Sequence, residues 1–231
     1  MHMQLPARAA AFAVTSDAVV DVSQVRSGWL ARITKRGVDV VGALLILFLA
    51  WPFFLVVAAA VAIDGGAVFY GHRRVGLGGK TFDCIKFRTM IPGAEECLEE
   101  YLSYHPQAER QWREQKLAQD PRITPIGSLL RQWSLDELPQ LINVLRGEMS
   151  LVGPRPVTQS ELAHYYGSVA ALYVSVQPGM TGLWQVSGRN DVSYAARVAL
   201  DASYVLQRGL MRDFAILLRT PTAVLRRSGA K

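Results

Sequence analysis

The pattern along the chain is set by one apolar run. From Val40 to Ile63 no side chain carries a charge; Arg32, Lys35 and Arg36 precede the run and Asp64-Gly65-Gly66 ends it. A helix of about 24 residues rises ~36 Å, enough for a bilayer core of ~30 Å. Trp51-Pro52 falls at its middle. A proline removes one backbone hydrogen bond and clashes with the preceding turn, which predicts a helix broken at Pro52. Each arm of about 12 residues would reach roughly 18 Å and would not cross. Arg26, Arg32, Lys35 and Arg36 lie before the run, and His72, Arg73, Arg74, Lys80, Lys86 and Arg88 lie after it. Cationic flanks favour the cytoplasmic side, and here both ends carry them. Residues 31–64 are therefore expected to enter and leave at one face as a re-entrant helix. The alternatives are a kinked span and the core helix of a soluble protein.

Elsewhere the periodicity is that of a small domain. Residues 1–30 show no clear period and are expected to form a flexible N-terminal segment. Residues 67–90 alternate β-branched and aromatic positions around Gly76-Leu77-Gly78-Gly79, which predicts a β-hairpin. Residues 94–118 are charged and helical in pattern, interrupted at Pro106; 120–133 are amphipathic; 134–147 predict a short helix ended by Gly147. Further helices are expected over 157–176 and 192–209. Residues 211–228, interrupted by Pro221, set Phe214, Ile216, Leu217 and Leu218 against Arg212, Arg219, Arg226 and Arg227. That composition suits a helix pair in a membrane surface, or ordinary packing against the domain. The fold class is α-rich α+β: a re-entrant membrane helix broken at Pro52, a small β-hairpin and several amphipathic interfacial helices. Residues 65–231 would form the cytosolic catalytic domain.

Composition narrows the partners. Half of the 231 residues are hydrophobic although 19% are charged, and the net charge is +6. A basic balance suits nucleic acid, anionic lipid or phosphorylated substrates. The arginines lie beside apolar stretches and not in solvated tracts, so no nucleic-acid partner is expected. Cys84 and Cys97 are the only cysteines and have no C-x-x-C spacing, which argues against a disulfide framework or zinc site and for a reducing compartment. No cleavable signal peptide is expected, because the first 34 residues lack a suitable apolar core.

The chemistry concentrates between Arg131 and Pro156. Ser134-Leu135-Asp136-Glu137 fits a capping box with Ser134 as N-cap. Pro139 would then lie just past the first turn and lose a bond. With Asp136 as N-cap, Pro139 falls at the third helical position, where no partner is needed. Two adjacent carboxylates, Asp136 and Glu137, would then stand at a helix N-terminus. They could hold a divalent cation through oxygen ligands, or one could attack phosphorus. Arg131 lies five residues before Asp136, Arg155 is stiffened between Pro154 and Pro156, and Lys86 and Arg88 lie in a strand-like segment. Guanidinium forks match phosphate oxygens. Carboxylates ringed by such cations suit phosphoryl transfer. They do not suit glycoside hydrolysis, which needs carboxylates on opposite sides of the bond. In the Gly- and Pro-punctuated loop Gln177–Asn190, Trp184 could stack a base or serve as a core aromatic. Gln185, Arg189 and Asn190 could hydrogen-bond a base or hold phosphate.

These motifs, in this order, resemble one family. KRGVD at 35–39, the Pro52-centred run, KFRTM at 86–90, SLDELPQL at 134–141, MSLVGPRP at 149–156 and PGMTGLWQVSGRND at 178–191 look like the bacterial sugar transferases. These are the monotopic phosphoglycosyl transferases, and the likeness covers residues 31–228. The resemblance implies a UDP-sugar donor, undecaprenyl phosphate as acceptor, Mg²⁺, and a place on the cytoplasmic face of the bacterial inner membrane. It implies that Asp136 attacks the β-phosphate, expels UMP and holds the sugar phosphate covalently, while Glu137 helps to bind the metal. Arg131 and Arg155 match basic positions expected near the phosphates. Other polysaccharide-assembly proteins would be further partners. Trp51 departs from the pattern, which often has a small residue before the proline. The chain resembles the short form, which lacks the spanning helices of longer relatives. YGHRRVG and GRNDVSYAARV look most like exopolysaccharide enzymes of the galactose-phosphate type, with glucose next. The competing reading is a non-catalytic membrane scaffold for polysaccharide assembly.

Overall fold

The structure, a computed structural model, describes residues 28–63, 65–113, 117, 120–188 and 192–225. The expectation of a flexible N-terminal segment falls largely outside them, although Trp29 and Leu30 already belong to the first helix. The chain is mostly helical. Helix α1 (Trp29–Ala62) is followed by an antiparallel hairpin of β1 (Phe69–Val75) and β2 (Thr81–Phe87). Helices α2 (Ala94–Tyr104) and α3 (Pro106–Arg113) are separated at Pro106, as the pattern indicates. Then come α4 (Pro125–Gln132), α5 (Gln140–Arg146) and β3 (Ser150–Val152). Residues 159–173 are helical but irregular: α6 (Gln159–Glu161), a π turn (Leu162–Tyr166), a 3-10 turn (Gly167–Val169) and α7 (Ala170–Tyr173). The chain continues through β4 (Gly179–Thr181), α8 (Leu183–Val186), α9 (Tyr194–Leu206) and α10 (Leu210–Leu225).

The break expected at Pro52 does not occur: the backbone of α1 stays helical through it. A proline forfeits one hydrogen bond, and neighbouring turns can absorb the clash without leaving helical backbone. Pro221 is likewise carried inside α10, so the expected helix pair is one helix.

Both ends of α1 are held by the same folded body. Near its start, buried Asp39 accepts from the backbone N–H of Leu151 (3.1 Å) and from Lys35 (2.9 Å). Lys35 also donates to Ser150 Oγ (2.6 Å) and pairs with Asp213 (3.1 Å). Arg36 donates to the carbonyls of Val144 and Leu145, the last turn of α5, where a cation satisfies orphan acceptors. Near its end, Val57 and Val61 are buried with Phe87 and Leu130, and Phe54, Leu135 and Leu138 pack on them. Arg88 donates to the carbonyls of Val61 (2.8 Å) and Ala67 (2.5 Å), closing the C-terminal end of the helix. Between these anchors the apolar side chains are bare: Phe48 is 72% exposed, Leu49 70% and Trp51 57%.

The hairpin pairs Phe69 with Phe87 and Val75 with Thr81, with Tyr70 opposite Lys86 and His72 opposite Cys84. Its main support is Asn143 of α5, fully buried. Asn143 Oδ1 accepts from Ile85 N (2.9 Å), and its Nδ2 donates to the Asp83 carbonyl (2.8 Å) and to Glu148 (2.7 Å). The parallel pair β3–β4 joins two motifs that are distant in sequence: Ser150 N donates to the Pro178 carbonyl and Gly153 N to that of Thr181, both at 2.9 Å. Here a Cβ on Gly179 would meet Gly153 N at 2.0 Å, so only glycine admits this backbone contact.

Asn143→Ala is expected to lose about 2–4 kcal/mol of stability, because Ile85 N and the Glu148 carboxylate lose partners inside the core. Thermal denaturation in detergent checks it; a melting temperature equal to that of the wild type would contradict the assigned role.

Candidate active site

Asp136 and Glu137 lie in a 3-10 turn, Leu135–Glu137, between α4 and α5. Neither cap placement expected from the sequence is adopted. Ser134 has left-handed backbone (φ 57°) with no side-chain cap bond, and its N–H donates to the Arg131 carbonyl. It terminates α4 instead of starting the next helix, in a position that glycine more often fills. Pro139 immediately precedes α5, so the carboxylates are displaced from that helix by one tight turn. Helix α4 itself is started by Thr124, whose hydroxyl accepts from Gly127 N (2.9 Å), with Pro125 at its first position. Leu135 and Leu138 bury against the cluster that holds the end of α1, so the turn is seated on the apolar helix.

Lys86 Nζ lies 2.7 Å from Glu137 Oε1 and 3.7 Å from Asp136 Oδ2. Arg131 donates from Nε to Thr89 Oγ1 (2.8 Å), and its charge also acts on Asp136. Asp136 is 8% exposed. Burial pushes its pKa up to about 6, against the opposing pull of Lys86, and the Glu137 charge raises it further. Burial opposes the charge on Lys86, but the two carboxylates outweigh it and hold its pKa above the ordinary lysine range. Four of the residues read from the sequence, Asp136, Glu137, Lys86 and Arg131, are thus brought together.

Arg155 approaches the hairpin face that carries Lys86, and its charge acts on His72 there. The charges of Lys86, Glu137, Arg74 and Arg155 all act on Cys84, and burial drives that thiol up to about 11, making it an inert core group. The Arg155 guanidinium lies over the Trp184 ring (5.2 Å), as does that of Arg197 (4.9 Å). Trp184 is buried, so it acts as a core platform for arginines and has no open face for a base. Arg74 pairs with Glu161 (2.8 Å) and contacts His72 Nδ1 (3.2 Å). Burial, then Arg74 and Lys86, lower the His72 pKa. Sequence reasoning missed His72 and Arg74. The available signal was the two-residue alternation of β1, which sets them on the hairpin face that carries Lys86. Arg88 differs from expectation: its guanidinium closes α1 and does not join this group. Gln185 is half-buried in α8, with Oε1 lacking a hydrogen-bond partner. Arg189 and Asn190 lie outside the described residues.

The arrangement is a recessed acidic pair facing lysine and arginine, with a second cationic group, Arg74 and Arg155, farther along the same hairpin face. It can bind a polyanion and present a carboxylate to it. The described residues contain no group of three or more His, Cys, Asp or Glu that could hold a metal. Asp136 and Glu137 supply hard oxygen donors, and two carboxylates completed by phosphate and water oxygens suit a magnesium ion. The pair already attracts one cation, Lys86.

Residues 30–227 match the bacterial sugar transferase family. The chain is 52% identical over 197 residues to the exopolysaccharide production protein ExoY of Rhizobium meliloti strain 1021, covering 84% of this chain and 87% of that protein. It is 54% identical over 201 residues to a UDP-galactose-lipid carrier transferase of Erwinia amylovora, and 50% identical over 201 residues to an undecaprenyl-phosphate galactose phosphotransferase of Salmonella typhimurium. Each of those alignments covers 87% of this chain but only 42% of the longer relative.

A buried carboxylate whose folded pKa is raised adds stability below its unfolded pKa and loses it as pH climbs through about 6. At neutral pH the ionised Asp136 therefore weakens the fold. Asp136→Asn is expected to raise the melting temperature at pH 7.5 by roughly 3–6 °C, with the gain vanishing near pH 4. Melting curves at both pH values check this.

Proposed function

The chain belongs to the bacterial sugar transferase family and is a phosphoglycosyl transferase; on that premise we propose that it moves a hexose 1-phosphate from a UDP-sugar to undecaprenyl phosphate, the first membrane step of exopolysaccharide synthesis. The observation that carries this reading is the recessed Asp136 beside Lys86 and Arg131. An Asp136 carboxylate oxygen attacks the β-phosphorus, the bond to the bridging oxygen breaks, and UMP leaves with the electron pair. An oxygen of the lipid phosphate then attacks the same phosphorus and Asp136 departs, leaving a lipid diphosphosugar. Lys86 holds Glu137 against the site and offsets phosphate charge, and Arg131 and Arg155 take phosphate oxygens. Asp136 and Glu137 would hold Mg²⁺, which when bound neutralises charge on the diphosphate. Galactose is the favoured sugar, from the names of two relatives 54% and 50% identical to this chain, and glucose is next, since a UDP-glucose:undecaprenyl-phosphate glucose-1-phosphate transferase of Caulobacter vibrioides is 39% identical.

The same reading places the bare middle of α1 in lipid, with both ends at the cytoplasmic face. Its support is that Asp39 and Val61, at opposite ends of the apolar run, are bonded into or buried against one folded body. Pro52, whose missing hydrogen bond lets a helical backbone kink without breaking, is where the two ends would turn toward one interface. The exposed apolar side chains Met211, Phe214 and Leu218 of α10 would lie in the same surface.

With purified protein in detergent, UDP-galactose, undecaprenyl phosphate and Mg²⁺ should release UMP. Asp136→Asn should reduce the rate at least ~1000-fold, and intact-mass analysis should find a hexose-phosphate adduct on Asp136. Turnover by Asp136→Asn at the wild-type rate would refute the nucleophile. The rate should rise with pH through about 6, as Asp136 ionises. For the topology, single cysteines at Gly28 and Lys80, in a background lacking Cys84 and Cys97, should label from the same side of sealed vesicles. Labelling from opposite sides refutes the re-entrant placement.

A further inference from the structure

A row of polar contacts leads away from Asp136 and Glu137 along one face of the hairpin. On that face Tyr70, His72 and Arg74 alternate along β1, with Lys86 directly opposite Tyr70. At roughly 3.3 Å per residue, Tyr70 and Arg74 stand about 13 Å apart. Lys86, at the near end, contacts Glu137 (2.7 Å). Arg74, at the far end, reaches His72 Nδ1 (3.2 Å) and pairs with Glu161 (2.8 Å). Glu161 in turn accepts from the Tyr194 phenol. Arg155 lies alongside the row, for its charge acts on His72, Glu161 and Tyr194. The row ends on an aromatic shelf: the Tyr165 ring stacks on that of Tyr194, with centroids 3.9 Å apart and planes inclined by 26°. Tyr165 follows Glu161 by four residues, so the two share a helix face.

Tyr165 is 43% exposed although it is stacked. It sits in the π turn Leu162–Tyr166. Such a turn gives up the regular helical hydrogen-bond pattern and recurs at functional sites. His164 stands at right angles to the Tyr165 ring (4.7 Å) and brings an imidazole to the margin of the shelf. Trp184, by contrast, is buried against Arg155 and Arg197. An open tyrosine ring favours a planar ring as its partner. In the donor the hexose is bonded to the phosphate under attack and must stay beside Asp136. The base lies beyond a second phosphate and a ribose, so it is the part that reaches the far end of the row. We infer that the Tyr165–Tyr194 shelf takes the uracil ring of the donor, stacked against Tyr165, while Arg155 takes the α-phosphate on the way. The inference rests on the UDP-sugar reading above and adds to it the place of the nucleoside.

The test measures UMP binding to the full chain in detergent by titration calorimetry, with dihydro-UMP, whose saturated base is puckered and cannot stack flat, as the comparison. Wild type should bind UMP roughly tenfold more tightly than dihydro-UMP. Tyr165→Ala should bind the two alike, and should raise KM for UDP-galactose roughly tenfold with kcat within about twofold of wild type. Tyr165→Phe, which keeps the ring, and Tyr104→Ala, which removes an exposed tyrosine from α2, should behave as wild type. The comparison of the two nucleotides in wild type needs no variant, so it holds even if Tyr165→Ala fails to fold. Equal binding of both nucleotides by wild type overturns the inference, as does UMP affinity unchanged in Tyr165→Ala. A loss confined to UDP-galactose, with UMP unaffected, would assign the shelf to the hexose and also overturn it. Wild type that neither binds UMP nor releases it from a UDP-sugar would refute the donor reading itself, whereas UMP release with no dependence on Tyr165 refutes the shelf alone.

Discussion

The buried ionic node of Lys35, Asp39, Ser150 and Asp213 is the constraint on which the rest of the structure depends. Asp39 is 1% exposed on an apolar helix, a position that is costly for a charge unless it is paired and hydrogen-bonded. Lys35 of α1 and Ser150 and Leu151 of β3 bond Asp39, Lys35 also pairs with Asp213 of α10, and Tyr204 of α9 extends the set by donating to Asp213 (2.8 Å). Four elements therefore meet at one point whose geometry allows little slack. Removing one partner would strand another charge. Such a node is weak as a source of net stability and strong as a means of registering α1 on the domain.

That registration reaches the chemistry through α1. With its first turns fixed, its far end packs Val57 and Val61 under Leu135 and Leu138, the residues that flank Asp136 and Glu137. The acidic pair therefore sits on the helix that carries the bare apolar band. The proposed transfer of a sugar phosphate from a soluble nucleotide-sugar to a lipid phosphate would need its reacting group at such a boundary. Burial of Asp136 raises its pKa while Lys86 keeps a counter-charge in contact with the pair. The low-dielectric setting that makes the carboxylate harder to ionise also strengthens every charge interaction made with phosphate.

Charge on the rest of the surface divides by function. Arg36 and Arg88 close helix ends. Lys86 and Arg131 face the acidic pair, Arg74 and Arg155 lie farther along the same hairpin face, and Arg32 and Arg208 line a separate hollow. A basic sequence with a net charge of +6 is thus several local arrangements, each satisfied differently.

Features governed by local periodicity were legible in the sequence: the apolar run, the hairpin over 67–90, the division at Pro106 and the stop at Gly147. The acidic pair and its companions Lys86 and Arg131 were legible as well, because phosphate chemistry restricts the side chains that can serve. What the sequence left open was set by contacts between distant segments. Ser134 matches a capping box, yet it ends α4 in left-handed backbone, because the adjoining Leu135 is drawn into the cluster under α1. Arg88 resembles Lys86 in the sequence but finds orphan carbonyls at a helix end before it can reach the acids. The structural roles of Asp39, Asn143 and Asp213 had no local signal, since a polar residue declares such a role only when its distant partners, about 60 to 180 positions away, are folded against it. Periodicity is a property of neighbours in the chain and can be read there; hydrogen-bond satisfaction is a property of neighbours in space, and only the tertiary structure decides it.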